Sequence, residues 1–142
     1  LGQGLCVTLN ADTIIDIDLG ALVAAHRKNN AAATLVVRKD PEMESYGLVS
    51  LCPDGRIGRF LDTALPGCDC VLSHFMFAGV QVLGPAVFDH MPAPPKPFSI
   101  TRTTYPEMLR AGEPLYGFTF DGPWTTVGTA EELARARARF HG

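Results

Sequence analysis

Residues 32–38 read Ala-Ala-Thr-Leu-Val-Val-Arg, a mostly apolar run without the strict polar alternation of a half-wet strand. A run of this kind belongs to a sheet buried on both faces, and helices cover such sheets. The preceding segment supplies a helix. Leu19, Leu22, Val23 and His26 fall at i, i+3, i+4 and i+7 on one helical face, Asp16 or Asp18 can cap its start, and Asn29-Asn30 ends it. Before that helix, residues 7–10 (Val-Thr-Leu-Asn) read as a buried strand ending on Asn10-Ala11-Asp12. The chain therefore opens strand–helix–strand, a βαβ unit of the α/β class, and the sheet is expected to be parallel there. Asp12 stands at the C-terminal end of a strand, where open α/β sheets place their ligand chemistry.

Residues 46–51 and 56–61 read as a hairpin around the turn signal Pro53-Asp54-Gly55, and residues 62–70 as irregular. Residues 75–83 form a long apolar strand, followed by a short helix with Pro85 in its first turn. Four prolines within residues 92–97 make that stretch a loop. Thr104-Tyr105-Pro106-Glu107 and Thr129-Ala130-Glu131-Glu132 both read as capping boxes. Gly112 closes the first of these helices, residues 115–120 form a strand, and Leu133, Ala136 and Phe140 give the last helix an apolar face.

A formal net charge of −3 offers no basic surface for nucleic acid. No apolar run reaches the length of a membrane span, and no signal-peptide pattern is visible. The cysteines are Cys6, Cys52, Cys68 and Cys70. Cys6 inside a strand suits a free thiol, and the setting is read as reducing and cytoplasmic. Cys68-x-Cys70 with Cys52 and His74 lacks CxxC spacing, so no zinc site is read from it.

Several segments recur in one order: Asn10-Ala11-Asp12 after a strand, the helix ending in Ala25-His26-Arg27, Tyr46-Gly47 before a hairpin, and Phe77-Ala78-Gly79-Val80. Ile100-Thr101-Arg102 before a capped helix follows, then Asp121-Gly122-Pro123-Trp124 before Val127-Gly128-Thr129. The series, from Leu5 to Phe140, resembles the sugar-phosphate nucleotidyltransferases (NDP-sugar pyrophosphorylases), in the mannose-1-phosphate guanylyltransferase-like or N-acetylmuramate-phosphate uridylyltransferase-like branch. The resemblance implies a Rossmann-like nucleotidyltransferase fold, with a mixed, mainly parallel sheet flanked by helices and a β-hairpin insertion. Residues 1–142 are expected to be the C-terminal portion of such a domain, because the family's glycine-rich, triphosphate-binding loop has no counterpart here.

The implied activity joins a sugar 1-phosphate to an NTP and releases pyrophosphate, in nucleotide-sugar biosynthesis. Both substrates are anionic, so a divalent cation, Mg²⁺, is implied. One metal ligand of the family is the Asp of an Asn-Gly-Asp motif, which here is Asp12. The other lies in a Trp-x-Asp-x-Gly-Thr segment, where this chain places Thr126, a weaker ligand without charge. Loss of a positioned charge costs about 2–4 kcal/mol, roughly 10²–10³ in rate. On the sugar side Gly47 and Gly79 match positions of close backbone approach. Asp62 stands for the Glu of a Phe-x-Glu-Lys-Pro motif whose Lys is missing. The alternatives are a non-catalytic module that binds a nucleotide-sugar, or an inactive truncated product. Self-association, or a second subunit supplying the N-terminal portion, would complete the site.

Other candidates have plainer readings. Asp12 can be a turn or cap residue, Thr126 a structural hydroxyl, and His26 a packed helix residue. Asp121 can compensate for Thr126 or simply serve a turn. Arg135 and Arg139 fit a solvated helix face, and Trp124 fits packing as well as ligand contact.

Overall fold

A computed structural model of the chain describes residues 4–41 and 48–140. The strands are β1 (Cys6–Leu9), β2 (Thr13–Ile15), β3 (Ala33–Arg38), β4 (Leu48–Leu51), β5 (Ile57–Phe60), β6 (Thr63–Ala64), β7 (Ser73–Leu83), β8 (Leu115–Thr119) and β9 (Trp124–Thr126). The helices are α1 (Leu19–Lys28), α2 (Pro85–Asp89), α3 (Tyr105–Arg110), which continues a π-helical turn over Ile100–Thr104, and α4 (Ala130–Phe140). Seven strands form one curled sheet in the order β6-β5-β4-β7-β3-β8, with β1 also on β7, while β2 and β9 pair as a separate ribbon.

The α/β class, the mixed sheet and the β4–β5 hairpin follow the sequence, but the sheet is not mainly parallel. Only β3–β8 pairs parallel; the other pairings of this sheet among the described residues are antiparallel. β1 and β3 do run in the same direction, as a βαβ unit requires. They are not neighbours, because β7 lies antiparallel between them, with β1 on one edge and β3 on the other. Apolar periodicity reports which faces are buried and carries no information on which strand lies alongside.

β3 is buried as its composition demands. Leu35 and Val37 enter the core on one side of the sheet and Val36 the core on the other. The first core is closed by Tyr105, Met108 and Leu109, the second by Leu22 of α1 and by Trp124. In α1 the side chain of Asp18 accepts from the Ala21 N–H, and Leu22 and His26 are buried, whereas Leu19 is exposed. His26 Nδ1 lies 2.9 Å from Thr34 Oγ1 on β3, which satisfies a polar ring inside the core.

Two other expectations are corrected. β1 is not a buried strand: Cys6 is half-buried, and Val7 and Leu9 are exposed, since β7 is its only partner among the described residues. Thr104 caps nothing. It lies within the π-helical turn in helical conformation, and the capping role passes to Ser99, whose hydroxyl accepts from the Arg102 N–H at 3.4 Å. The second capping box forms as read, with Thr129 and Glu132 exchanging bonds of 3.1 Å.

Burial, and then the neighbouring Arg27, lower the pKa of His26 below its ordinary value. A His whose folded pKa is depressed leaves the unfolded chain binding the extra proton, so stability falls as pH drops below the unfolded value of about 6.5. Urea unfolding measured from about pH 7.5 down to 5.5 is expected to show this loss, with a shallower slope in His26→Gln. Identical slopes would exclude His26 as its source.

Candidate active site

The site is built where β7 departs from regular pairing. Leu35 of β3 faces Gln81 while Val37 faces Phe77, so three residues of β3 lie opposite five residues of β7. The extra residues bulge around Gly79, whose φ is +85°. The carbonyls of Ala78 and Gly79 are both satisfied by segments other than β3. The Asn10 N–H donates to Gly79 O at 2.8 Å, and the Trp124 indole N–H donates to Ala78 O at 2.9 Å. A Cβ on Gly79 would lie 2.9 Å from Thr13 Oγ1 and 3.0 Å from Asn10 Nδ2, so only glycine lets the two segments approach this closely.

Asp12 is placed by the same contacts. It sits in the exposed turn between β1 and β2, closed by a Thr13 N–H to Asn10 O bond of 3.1 Å. Its carbonyl accepts the Val127 N–H at 2.8 Å, and Thr13 stands opposite Thr126 in the β2–β9 ribbon. Two segments more than a hundred residues apart in sequence are thereby joined, and Asp12, Gly79 and Thr126 line one cavity of about 660 Å³. That volume suits a small ligand.

Asp62 does not enter this cavity. It lines an adjacent one of about 690 Å³ together with Arg59 and Arg110, and Leu61 and Arg102 border both cavities. Gly47 lies outside the described residues. Asp121 lines a different concavity, with Arg38 and Lys39.

A carboxylate nevertheless stands beside Thr126. The pKa of Glu132 is lowered chiefly by a hydrogen bond with the Thr126 side chain; burial opposes this, and the backbone N–H groups of Thr129 and Gly128 and the charge of Arg135 lower it further. Glu132 is half-buried and is not a wall of the cavity, so its charge lies behind the Thr126 hydroxyl.

Three further residues bear on the site. Gln81 is the polar residue in the apolar Phe77–Leu83 half of β7; the Tyr105 hydroxyl holds its Oε1, and its side chain borders the cavity. Burial pushes the Tyr105 ionisation far above its usual range, so it stays a neutral donor. Arg102 is exposed, on the wall between the two cavities, and makes no side-chain hydrogen bond or ion pair among the described residues. Arg139 is more than a solvated cation, because its guanidinium donates to Trp124 O at 3.3 Å.

The sequence model of the family described as Nucleotidyl transferase matches residues 2–141. The chain belongs to that family. Relatives include a mannose-1-phosphate guanyltransferase of Yarrowia lipolytica, 34% identical over 126 residues, which cover 88% of this chain and 33% of that protein. A UTP–glucose-1-phosphate uridylyltransferase of Synechocystis is 28% identical over 132 residues, covering 92% of this chain and 33% of its own. The chain thus spans about a third of the length of these curated relatives. The crystal structure of HddC from Yersinia pseudotuberculosis superposes with a TM-score of 0.70 at 14% identity, over 96% of this chain and 55% of that one. The fold is therefore the α/β, Rossmann-like fold of the nucleotidyltransferases.

Gly79→Ala is expected to destabilise the protein by about 1–3 kcal/mol, since it combines a left-handed φ with a collision against Thr13 and Asn10. Chemical denaturation measures this. An unchanged midpoint would show that the Asn10–Thr13 turn does not depend on the bulge.

Proposed function

We propose that this chain carries the sugar-phosphate side of a nucleotidyltransferase active site, in a protein that joins a sugar 1-phosphate to an NTP in nucleotide-sugar synthesis. The observation that supports it is the convergence of Asp12, Gly79 and Thr126 on one cavity, which shares Arg102 with a neighbouring cavity holding Asp62, Arg59 and Arg110. Family membership and the sugar-phosphate chemistry in the names of the relatives support the same reading.

In that reaction an oxygen of the sugar phosphate attacks the α-phosphorus of the NTP, and the bond to pyrophosphate breaks. Asp12 and the Thr126 hydroxyl are hard oxygen donors, which suit Mg²⁺; this ion needs only one or two carboxylates when phosphates and water complete its shell. Such an ion would neutralise charge between the two phosphates. Arg102 takes the sugar phosphate, in place of the family lysine that this sequence lacks. Gly79 lines the cavity that takes the sugar, and Asp62 accepts from its hydroxyls; Gly47, outside the described residues, belongs to this side by the resemblance alone. The triphosphate is held by a part of the fold that these residues do not include, on the same protein or on a second subunit.

In the protein carrying this chain, Asp12→Asn is expected to lower Mg²⁺-dependent pyrophosphate release by about 10²-fold or more. Unaltered release would remove Asp12 from the chemistry.

Thr126 favours a second reading, a module that binds nucleotide-sugar without turnover, because Glu132 stands behind the hydroxyl and not on the cavity wall. Thr126→Asp decides between them. A gain in turnover of about 10²–10³-fold is expected of a catalytic site short of one charge. Unchanged turnover with nucleotide-sugar binding intact is the result expected of the binding module.

A further inference from the structure

The tip of the β4–β5 hairpin brings together three cysteines that lie outside both cavities. Cys52 begins the turn: its N–H donates to Arg56 O at 2.8 Å and its carbonyl accepts from the Gly55 N–H at 2.9 Å. Cys68 ends a second tight turn, with its N–H on Leu65 O at 3.1 Å and Gly67 at φ +74°. The second turn is fastened to the hairpin by the Leu65 N–H, which donates to Gly58 O at 2.8 Å. Cys52 and Cys70 are joined as a disulfide, and the free Cys68 Sγ lies 3.3 Å from Cys70 Sγ and 3.6 Å from Cys52 Sγ.

The floor beneath the sulfurs is built to admit them. A Cβ on Gly58 would come within 2.9 Å of Cys68 Sγ and 3.1 Å of Cys52 Sγ. The three sulfurs are half-buried and all within 4.8 Å of one another. They face a concavity of about 410 Å³ that also holds Asp54 and Asp69. His74, which lies near in sequence, is not part of the group; its Nδ1 lies 2.8 Å from Ser50 Oγ.

We propose that the reduced cluster is a three-thiolate site for a thiophilic divalent cation such as Zn²⁺, with a fourth position open to the concavity. Zinc–sulfur bonds of about 2.3 Å in a tetrahedron separate thiolates by just under 4 Å, close to the spacing that Cys68 keeps from its two neighbours. Metal loading and the disulfide exclude one another. A dithiol reductant gives two electrons and two protons to the Cys52–Cys70 bond and is itself oxidised to a disulfide. The cation then displaces one proton from each of the three thiols. The metal ties the 65–72 loop to the hairpin where the disulfide otherwise does, so the cluster holds the tip together in either redox state. The proposal is independent of the nucleotidyltransferase reading, since none of its residues borders either cavity of the candidate site.

The test is a titration of the reduced chain with Co²⁺ under anaerobic conditions. One equivalent is expected to bring up thiolate-to-cobalt charge-transfer and tetrahedral ligand-field bands, which one equivalent of Zn²⁺ bleaches. Cys68→Ser keeps the disulfide and with it the oxidised fold, checked by circular dichroism. Once reduced, it should lose more affinity than the about 10–100-fold that removal of an outer partner costs. Cys6→Ser and His74→Ala should bind as the parent does. Absence of stoichiometric cobalt binding by the reduced chain, or full affinity in Cys68→Ser, would overturn the proposal. So would a thiol count showing that the Cys52–Cys70 bond resists reduction in the folded protein.

Discussion

The irregular stretch of β7 at Ala78–Gly79 holds the candidate site together. Successive carbonyls of a strand point to opposite edges, so in a regular β7 only one of these two would face β3. Here Gly79 O accepts from the Asn10 N–H, in register with the β1 pairing, and Ala78 O accepts from the Trp124 indole. The first bond fixes the turn that carries Asp12, and the second anchors β9, which carries Thr126. Glycine at position 79 is the condition for both, because any side chain would occupy the space of Thr13 and Asn10.

Around that anchor the charges are unequally distributed. The first cavity has Asp12 on its wall, a hydroxyl at position 126, and the carboxylate of Glu132 behind that hydroxyl. The second cavity has three arginines bordering it with Asp62. Under the proposed function, anionic groups would be drawn toward the arginines and a hard cation toward Asp12, on the two sides of a shared wall. Trp124 both lines the first cavity and packs into the second core. Arg38 lies 5.0 Å over its ring and Arg139 donates to its carbonyl, contacts that tie β9 to β3 and α4, while its indole N–H ties it to β7.

Much of the local structure was legible before any coordinates. The helix with Asp18 as its cap, the buried run of β3, the Pro53–Gly55 turn and the Thr129–Glu132 capping box rest on interactions between residues a few positions apart. The Thr104 box misled because its Thr-x-x-Glu spacing is equally compatible with a helix that continues from a preceding π-helical turn. β1 read as buried because Val7 and Leu9 are apolar, although composition alone does not show whether a second strand covers an edge. The order of short motifs named Asp12, Thr126 and Gly79, and the structure brings these three to one cavity. That order gave no such role to Glu132 or Arg102, since a capping residue and an arginine in a π-helical turn carry no mark of what they face.

By itself the sequence determined the α/β class and the positions of most elements, because these depend on residue identity and short-range periodicity; that Thr126 stands where relatives carry a carboxylate is what the family resemblance implied. Tertiary structure alone decided that β7 separates β1 from β3, that Asp62 belongs to a neighbouring cavity, that Glu132 backs Thr126, and that Cys52, Cys68 and Cys70 meet. Each of these is a relation between distant segments, set by which backbone hydrogen bonds and apolar faces satisfy one another in three dimensions. A linear pattern does not specify that choice.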